Sequence, residues 1–599
     1  MLTKESEDTS SWWARNDTPV HENDSRVSYL IDGCSALFAL CCTLLKARSS
    51  IYMANWGLAA ELELVRGKEH RAGADGSPEQ EALLALLRTQ ELDDEAIAFW
   101  CTHQLSVKEV LGYAVKRGVD VKVLLWHSLP LPSYSHYYPL TTRKALREVG
   151  VTCLLDNSAR GLLHHPVESL HQKLTVVDNR WAFVGGIDPM TEKGHDFDRW
   201  DNSSHHFLNE LRKTAEGNTP HPWHDVHALI EGPAVADVEY NFIQRWNAVV
   251  KRYGHWQILP EKRRFYHQAH IMPADTPQVV KSTTTVQIAR TIPRHTYHFQ
   301  PLVVQGIAQL YTRAIHNAQH FIYLENQYLW VRAYSGVDIP FLGRDNQEME
   351  KIMQELIAAL QRGVHVALVL PDHPDPGRAF SDASIARIRR EAAPAVAAGR
   401  FHAFCLGNSA RVENKEHYRP IYVHAKVAII DDLWVTVGSA NLNNRGLRDD
   451  VEINVATLDA EVARSLRLRL WAEHLGLLTD DEIFMLNIFL QRQPAQRPSP
   501  VGVANLWSGI QGIWQDNAEK QAILDRETLS AWQHVQESLQ DPAQGMQLMG
   551  KRAQENLQAY KAQQPFYGHL VPYVLADDAR QQGLPFSEDH GWLEEKAKL

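Results

Sequence analysis

Two short stretches of the chain each place a lysine two residues after a histidine and end on an aspartate. They are HQKLTVVD (residues 171–178) and HAKVAIID (residues 424–431). In a β-strand, side chains two residues apart lie on one face, so Lys173 and Lys426 would each share a face with a histidine. Cleavage of a phosphodiester needs an attacking group, an acid for the leaving alcohol, and positive charge around the non-bridging oxygens. Two histidines in different surroundings and two lysines can supply all of these, so the residues predict phosphodiester chemistry without a metal or a cofactor.

The two stretches belong to an internal repeat. IYMANWGL from Ile51 matches IYLENQYL from Ile322, and AVKRGVDVKVLL from Ala114 matches ALQRGVHVALVL from Ala359. The motif segments also match each other over the following strand. Because the three matches occur in the same order, they indicate a duplicated unit. A single site on a pseudo-twofold axis would then receive one histidine–lysine pair from each unit.

Each unit alternates predicted helices and strands. A helical stretch precedes each IY strand, and a second helix ends at Arg-Gly-Val before the next β-rich run. In the motif segments, LTVV and WAFVGG are predicted strands around residues 178–180, and VAII and WVTVGS are their counterparts around residues 431–433. This alternation predicts an α/β fold in which helices flank a sheet.

The length of the chain predicts more than one core. At 599 residues it is too long for one ordinary domain. We predict an N-terminal leader over residues 1–26, a first half over 27–270 and a second half over 271–480. A Pro-rich joint and a helical C-terminal extension are predicted over 481–599.

Charge and cysteine content narrow the classes of function. The formal net charge of −11 argues against a broad basic face, so no nucleic-acid partner is expected. The six cysteines lack metal-site spacing and are predicted to be reduced core residues. The N-terminus has no signal-peptide pattern, and the best apolar run, ALFALCCTLL, is about half of the roughly 20 residues that a membrane span needs. We therefore expect synthesis in the cytoplasm and peripheral membrane binding.

The duplicated motif resembles the phospholipase D superfamily. H-x-K-x-x-x-x-D followed by a G-[GS]-x-[ND] turn occurs twice, with the turns at residues 185–188 and 438–441. The likeness extends to RWDNSSH, PWHDVHALIEGPAVADVEYNFIQRWN and IYLENQYL, and it covers nearly all of residues 27–475. It implies two similar α-β-α sandwich halves with mixed sheets, packed about a pseudo-twofold axis, plus the helical C-terminal extension. It also implies hydrolysis of membrane glycerophospholipids to phosphatidic acid and a free headgroup.

The resemblance assigns roles to the motif residues. His171 would attack phosphorus and form a covalent phosphohistidine, and His424 would protonate the leaving alcohol. The residues that bind the phosphate would be Lys173, Lys426 and Asn441. Asp178 and Asp431 complete the catalytic motifs, although their place at strand ends suits them better to structural hydrogen bonds.

Further residues would support these groups. Asp201 in RWD and Glu452 in RDDVEIN fit the places of the carboxylates that hold the histidine of the other half. The residues that order the site would be Asp188, Gly186 and Ser439. His224 and His227 in PWHDVH are expected to pack near the site entrance, because no partner set completes a metal site.

Several alternatives stay open at the level of sequence. A phosphodiesterase or nuclease of the same superfamily, an intracellular phospholipid-remodelling transferase and an inactive lipid-binding scaffold all fit the motifs. Trp56 and Trp330 could grip a lipid, or they could pack in the core or the rim. The chain is also similar to the type VI secretion phospholipase D effectors of bacteria. That likeness implies a bilayer surface, an immunity protein and a secretion apparatus as partners.

Overall fold

The structure is a computed structural model of the chain. It describes residues 11–70, 77–127, 139–158, 168–191, 197–213, 220–255, 269–274, 277–331, 347–374, 377–490, 526–588 and 590–593. The Pro-rich joint is predicted near residues 490–505, and all of it after residue 490 lies outside the described residues.

The strands form two sheets. In chain order they are β1 (Val20–Glu22), β2 (Arg26–Ile31), β3 (Ser50–Asn55), β4 (Asp120–Trp126), β5 (Thr152–Asp156), β6 (Leu174–Val177), β7 (Trp181–Gly185), β8 (Trp223–His224), β9 (Val226–Glu231), β10 (Thr285–Ile292), β11 (Val304–Gln305), β12 (Phe321–Asn326), β13 (His365–Val369), β14 (Phe401–Val412), β15 (Lys415–Val423), β16 (Lys426–Ile430), β17 (Trp434–Gly438), β18 (Glu452–Leu458) and β19 (Leu570–Pro572).

The two sheets repeat one strand order. The first sheet runs β2-β9-β7-β6-β3-β4-β5, and the second contains β10-β18-β17-β16-β12-β13-β14. In both, the first four pairs are antiparallel and the last two pairs are parallel. This correspondence confirms the predicted α/β fold with two similar halves and mixed sheets.

Helices cover the sheets. In chain order they are α1 (Asp32–Leu45), α2 (Pro78–Thr89), α3 (Asp94–Thr102), α4 (Val107–Lys116), α5 (Pro139–Glu148), α6 (Val235–His255), α7 (Gly306–Asn317), α8 (Gln347–Arg362), α9 (Arg378–Glu391), α10 (Ala393–Ala397), α11 (Ala460–Leu475), α12 (Asp480–Leu490), α13 (Arg526–Ser538), α14 (Pro542–Lys561) and α15 (Ala576–Gln582). Short 3-10 and π segments occupy Gly67–Glu69 and Arg445–Asp449.

The two halves share one core. Its residues come from the first sheet, such as Val176 and Val184, from the second, such as Val427 and Val455, and from α6. Separate apolar clusters lie between the first sheet and α1 and α4, and between the second sheet and α7 and α8. The large apolar area removed from water in the shared core holds the halves, and the site between them, in a fixed relation.

Short strands at both chain ends join the second sheet. β1, in the predicted leader, pairs with β10, and β19, in the predicted extension, pairs with β14. β8, from the first half, pairs in parallel with β15 of the second half. Within the described residues, none of the helices combines the length and the apolar character that crossing a bilayer requires.

Candidate active site

Two short backbone pairings carry the motif histidines to the opposite half, and we call them the cross-half bridges. In the first bridge, residues 169–171 run beside 450–452: His171 N–H donates to the Val451 carbonyl at 2.9 Å, and Val451 N–H donates to the Ser169 carbonyl at 2.9 Å. In the second bridge, β8 runs beside the end of β15, and His424 N–H donates to the His224 carbonyl at 2.8 Å. In each bridge, the segment that leads to a motif histidine lies beside the segment of the other half that leads to a carboxylate.

Glu452 holds His171. Nδ1 of His171 lies 2.9 and 3.1 Å from the two carboxylate oxygens of Glu452, which is fully buried. The Ser439 hydroxyl donates to the same carboxylate at 2.5 Å. A carboxylate at Nδ1 fixes the ring and leaves Nε2 as the nitrogen that can react. The structure thus brings Glu452 and Ser439 to His171.

Asp225 holds His424. Nδ1–H of His424 donates to Oδ2 of Asp225 at 2.6 Å, and Asp225 is fully buried. A methyl group at Gly186 would lie 2.0 Å from the Asp225 carboxylate, so only glycine admits the acid at this depth. Burial raises the pKa of Asp225 to about 6, against the opposing charge of Lys426.

Asp201 is not the carboxylate of this site, and its predicted role is corrected. Its oxygens accept hydrogen bonds from Arg212 at 3.0 Å, from Nδ1 of His205 at 3.1 Å and from Trp223 N–H at 2.9 Å. These partners occupy it in a buried network behind the site.

The repeat itself contains the signal that identifies Asp225. Gly185 of β7 pairs with His227, and Gly438 of β17 pairs with Asn454. Two residues before these partners stand Asp225 and Glu452, which are therefore equivalent in register. Asp201 follows the first motif more closely in the chain than Asp225 does, but only Asp225 matches Glu452 in the register of the sheet.

The two lysines have different neighbours. Nζ of Lys173 lies 3.2 Å from Asp188, which also accepts from Asn55 at 3.2 Å. Nζ of Lys426 instead donates to the Gln327 side chain at 3.3 Å. Burial lowers the pKa of Lys426 to about 7, although the charge of Asp225 opposes this. The first lysine is thus paired directly with a carboxylate, whereas the second donates to an amide.

The turns after the motif strands carry the same asymmetry. Asn441, which is buried, stands in the turn of the second motif where Asp188 stands in the first. An acid at this place binds the lysine, whereas an amide can donate to an anion. Asp188 therefore orders the first half of the site, and Asn441 puts an amide in place of that carboxylate in the second half.

Both motif histidines are held in the neutral form. Burial lowers the pKa of His171 well below its usual value, and the charges of Lys173 and Lys426 lower it further. Burial and the charge of Lys426 lower the pKa of His424 in the same way, with contributions from Arg199 and Lys173. The charges of both lysines therefore act on both rings. The structure shows no hydrogen bond from either Nε2 to another described residue.

Asp178 and Asp431 lie away from this space, so their inclusion among the catalytic residues is corrected. Asp178 accepts hydrogen bonds from the backbone N–H groups of Ser49 and Ser50 at 2.7 and 2.9 Å. Asp431 accepts in the same way from His320 and Phe321. Both sit at the far ends of the motif strands and fasten the start of a neighbouring strand.

Comparisons with known proteins agree with this arrangement. A family model described as phospholipase D matches residues 101–362, and one described as a cardiolipin synthase, PLD-like domain, matches residues 311–472. The chain belongs to the phospholipase D superfamily.

Similar proteins in this superfamily include several plant enzymes. Phospholipase D delta of Arabidopsis thaliana is 26% identical over 581 residues, which cover 74% of this chain and 63% of that protein. Phospholipase D alpha 2 of Oryza sativa subsp. japonica is 26% identical over 547 residues, with shares of 73% and 63%. The chain therefore spans less than two thirds of these curated relatives. Among solved structures, phosphatidylserine synthase of Haemophilus influenzae Rd KW20 matches with a TM-score of 0.42 and 14% identity, over 83% of this chain and 95% of that one.

The two tryptophans that were candidates for lipid contact have different locations in the structure. The ring of Trp56 lies 6.1 Å from that of His171 and stacks on Trp126 at 5.6 Å, so it forms a wall of the site. Trp330 is buried and packs against Tyr328 and Phe380, which makes it a core residue.

His224 lies in a buried cluster of carboxylates, which corrects the expectation that it lacks such partners. Nδ1 of His224 lies 3.0 Å from Asp32 and 3.1 Å from Glu473, and Nε2 lies 2.8 Å from Glu325. Together with His205, the side-chain oxygen and nitrogen atoms of Asp32, His224 and Glu473 lie within 4.8 Å of one another.

In that cluster the carboxylates also stabilise charged imidazoles. Burial lowers the pKa of His205, but the surrounding carboxylates outweigh it and raise the pKa to about 10. The same balance raises the pKa of His224 well above its usual value. His227 is a separate case: Ile187 N–H donates to its Nδ1 at 3.3 Å, and it is buried as a neutral ring.

Proposed function

We propose that the protein is a phospholipase D that hydrolyses membrane glycerophospholipids to phosphatidic acid and a free headgroup. One observation carries the proposal: each half supplies a histidine that is held at Nδ1 by a carboxylate of the other half, and the charges of both lysines act on both rings. Paired imidazoles with open Nε2 atoms and adjacent cations meet the needs of phosphodiester cleavage.

In the first step, Nε2 of His171 attacks phosphorus while the bond from phosphorus to the headgroup oxygen breaks. The proton on Nε2 of His424 passes to that oxygen, so the headgroup leaves as a neutral alcohol. Lys173 and Lys426 hold the non-bridging oxygens, and Asn441 donates to one of them. The covalent phosphohistidine on His171 divides one difficult displacement into two easier ones.

In the second step, water attacks the phosphohistidine and gives a proton to His424. The bond between phosphorus and Nε2 of His171 breaks, and phosphatidic acid leaves. His424 must carry a proton in the first step, although burial, and after it the charges of Lys426, Arg199 and Lys173, lower its pKa in the free protein. A bound phosphodiester anion offsets those charges, which raises the pKa of His424 when the substrate arrives.

The choice of substrate is supported by two observations. The curated relatives that match most of this chain are named phospholipase D. Trp56 and Trp126 form an apolar wall beside His171, which suits the glycerolipid side of a phospholipid.

Vesicles of mixed phospholipids with added ethanol test the proposal. The covalent intermediate should accept ethanol in place of water, so phosphatidylethanol should form beside phosphatidic acid. His171→Ala and His424→Ala should each abolish both products. Absence of both products with the unaltered protein, or cleavage of DNA under the same conditions, would contradict a phospholipid substrate.

From the resemblance to the type VI secretion phospholipase D effectors, we also propose that the protein is delivered to neighbouring cells. A producer strain should harm neighbouring cells that lack an immunity protein, and the His171→Ala strain should not. Harm that is confined to the producing cell would favour an intracellular lipid-remodelling role.

A further inference from the structure

An arginine lies at each cross-half bridge outside the motifs. At the first bridge, Arg445 donates through Nε and Nη2 to the two carboxylate oxygens of Asp450, at 2.9 and 3.0 Å. Nη2 also donates to the Ser169 hydroxyl at 3.1 Å, and Asp450 accepts from Ser169 N–H at 2.7 Å. Arg445 therefore connects the segment that leads to His171 with the segment that leads to Glu452. A two-pronged guanidinium contact of this kind fixes distance and angle together.

At the second bridge, Arg199 acts through a stack of rings. Its guanidinium lies 3.7 Å from the Trp223 ring centroid, and the Tyr422 ring stacks on Trp223 at 4.7 Å with an angle of 8°. Both rings belong to the paired strands β8 and β15. Trp223 also contacts the ring of His424, at 4.8 Å between centroids. The stack therefore packs β8, which leads to Asp225, against the end of β15, which leads to His424.

The two arginines occur in the same order in the two halves. Arg199 follows the turn of the first motif and comes from the same half as Asp225, and Arg445 follows the turn of the second and comes from the same half as Glu452. Each half thus supplies one histidine and the carboxylate that holds the histidine of the other half; Arg445 contacts the opposite half at Ser169, and Arg199 reaches it through the ring of Trp223. Both arginines are removed from water, Arg199 with 5% exposure and Arg445 in part.

We infer that Arg199 and Arg445 are positioning residues, each of which fixes one histidine against the carboxylate of the opposite half by clamping a cross-half bridge. The inference rests on the proposed two-step mechanism. Arg445 positions the attacking histidine, His171, and Arg199 positions the acid, His424. A shift of about 1 Å in a reacting group costs on the order of a hundredfold in rate.

A phospholipid analogue with p-nitrophenol as its headgroup separates the two roles. This leaving group departs without a proton donor, so the first step needs His171 but not the acid, whereas the second step needs His424 to take a proton from water. Arg199→Met should keep a rapid burst of p-nitrophenol, followed by turnover about 10- to 100-fold slower, with phosphohistidine accumulating. Arg445→Met should slow the burst itself by a similar factor, and no intermediate should accumulate.

The lysine variants test whether geometry or charge matters. Lysine keeps the charge but has neither the fork nor the flat face, so Arg445→Lys and Arg199→Lys should behave like the methionine variants. Restoration of normal rates by lysine would overturn the positioning role. Arg467, buried and paired with Asp432 away from the site, is the matched control. Arg467→Met should lower the melting temperature and leave the burst and the turnover in their normal ratio.

The outcomes separate this inference from the function on which it rests. If the unaltered protein releases no p-nitrophenol, the proposed function and the inference both fail. If it releases a burst but Arg199→Met and Arg445→Met slow both steps equally, or slow neither, only the inference fails.

Discussion

Among single residues, Asp225 gives the sharpest test of the acid. An amide at this position cannot hold the Nδ1–H tautomer of His424 or stabilise its charged form, so Asp225→Asn should lower kcat by about 10²- to 10⁴-fold with KM little changed. Asp201→Asn is the matched control, because Asp201 is equally buried but binds Arg212 and His205. It should lower the melting temperature and spare kcat, measured as headgroup release from vesicles. Equal losses of kcat in the two variants would return Asp201 to the site.

At the same scale, the reacting histidines were easier to predict from the sequence than the carboxylates that hold them. His171 and His424 stand in repeated motifs whose chemistry can be derived from residue type and spacing. The carboxylate of His424 could not be chosen in this way, because PWHDVH and RWD both offer a buried acid and only the pairing of β7 with β9 distinguishes them. Side-chain neighbours that are far apart in the chain depend on register, which a single sequence gives only through its repeat.

At the scale of elements, the motif hairpins were predictable from their turns. Asp178 and Asn179 have φ values of 54° and 49°, and Asp431 and Asp432 have 56° and 49°. Asparagine and aspartate tolerate this left-handed region, so each pair joins two strands where the sequence predicted them. The bridge between β8 and β15 was not predictable, because two residues of parallel pairing carry no periodicity.

The motif aspartates should therefore matter for stability and not for turnover. Asp178→Ala removes an acceptor that serves several backbone N–H groups at the start of β3, so it should reduce the free energy of unfolding by about 1–3 kcal/mol. Asp431→Ala should do the same at the start of β12. Thermal unfolding and kcat at low temperature measure the two properties. A loss of kcat greater than tenfold in folded protein would place these acids in the mechanism after all.

The strand β9 carries a pH dependence through His227. Burial, together with the charge of Lys173, lowers the pKa of this ring to about 3, so the folded protein keeps it neutral. The unfolded chain takes up a proton below pH 6.5, so the stabilising contribution is present above that pH and is lost as the pH falls towards 3. At pH 5 the loss amounts to about 2 kcal/mol. The fall in melting temperature between pH 7.5 and 5.0 should be smaller in His227→Gln, and an equal fall would refute this account.

At the scale of the whole molecule, the buried cluster around His224 joins parts of the chain that are far apart. Glu473, on α11 of the second half, accepts from Nε2 of His205 at 2.9 Å and lies 3.1 Å from Nδ1 of His224, both in the first half. This link could not be predicted from the sequence, because its members lie in separate segments and each has the features of an ordinary core or surface residue.

Glu473→Gln tests how far this link holds the halves together. The variant keeps the shape of the side chain but removes one of the carboxylates that neutralise two positively charged imidazoles in the core, so it should cost about 3–5 kcal/mol. Glu461→Gln, on the exposed first turn of the same helix, should cost almost nothing. Because the cluster spans both halves, thermal unfolding and limited proteolysis should show both halves losing protection together in Glu473→Gln. Proteolysis confined to one half would mean that the shared apolar core, and not the charged cluster, holds the two halves together.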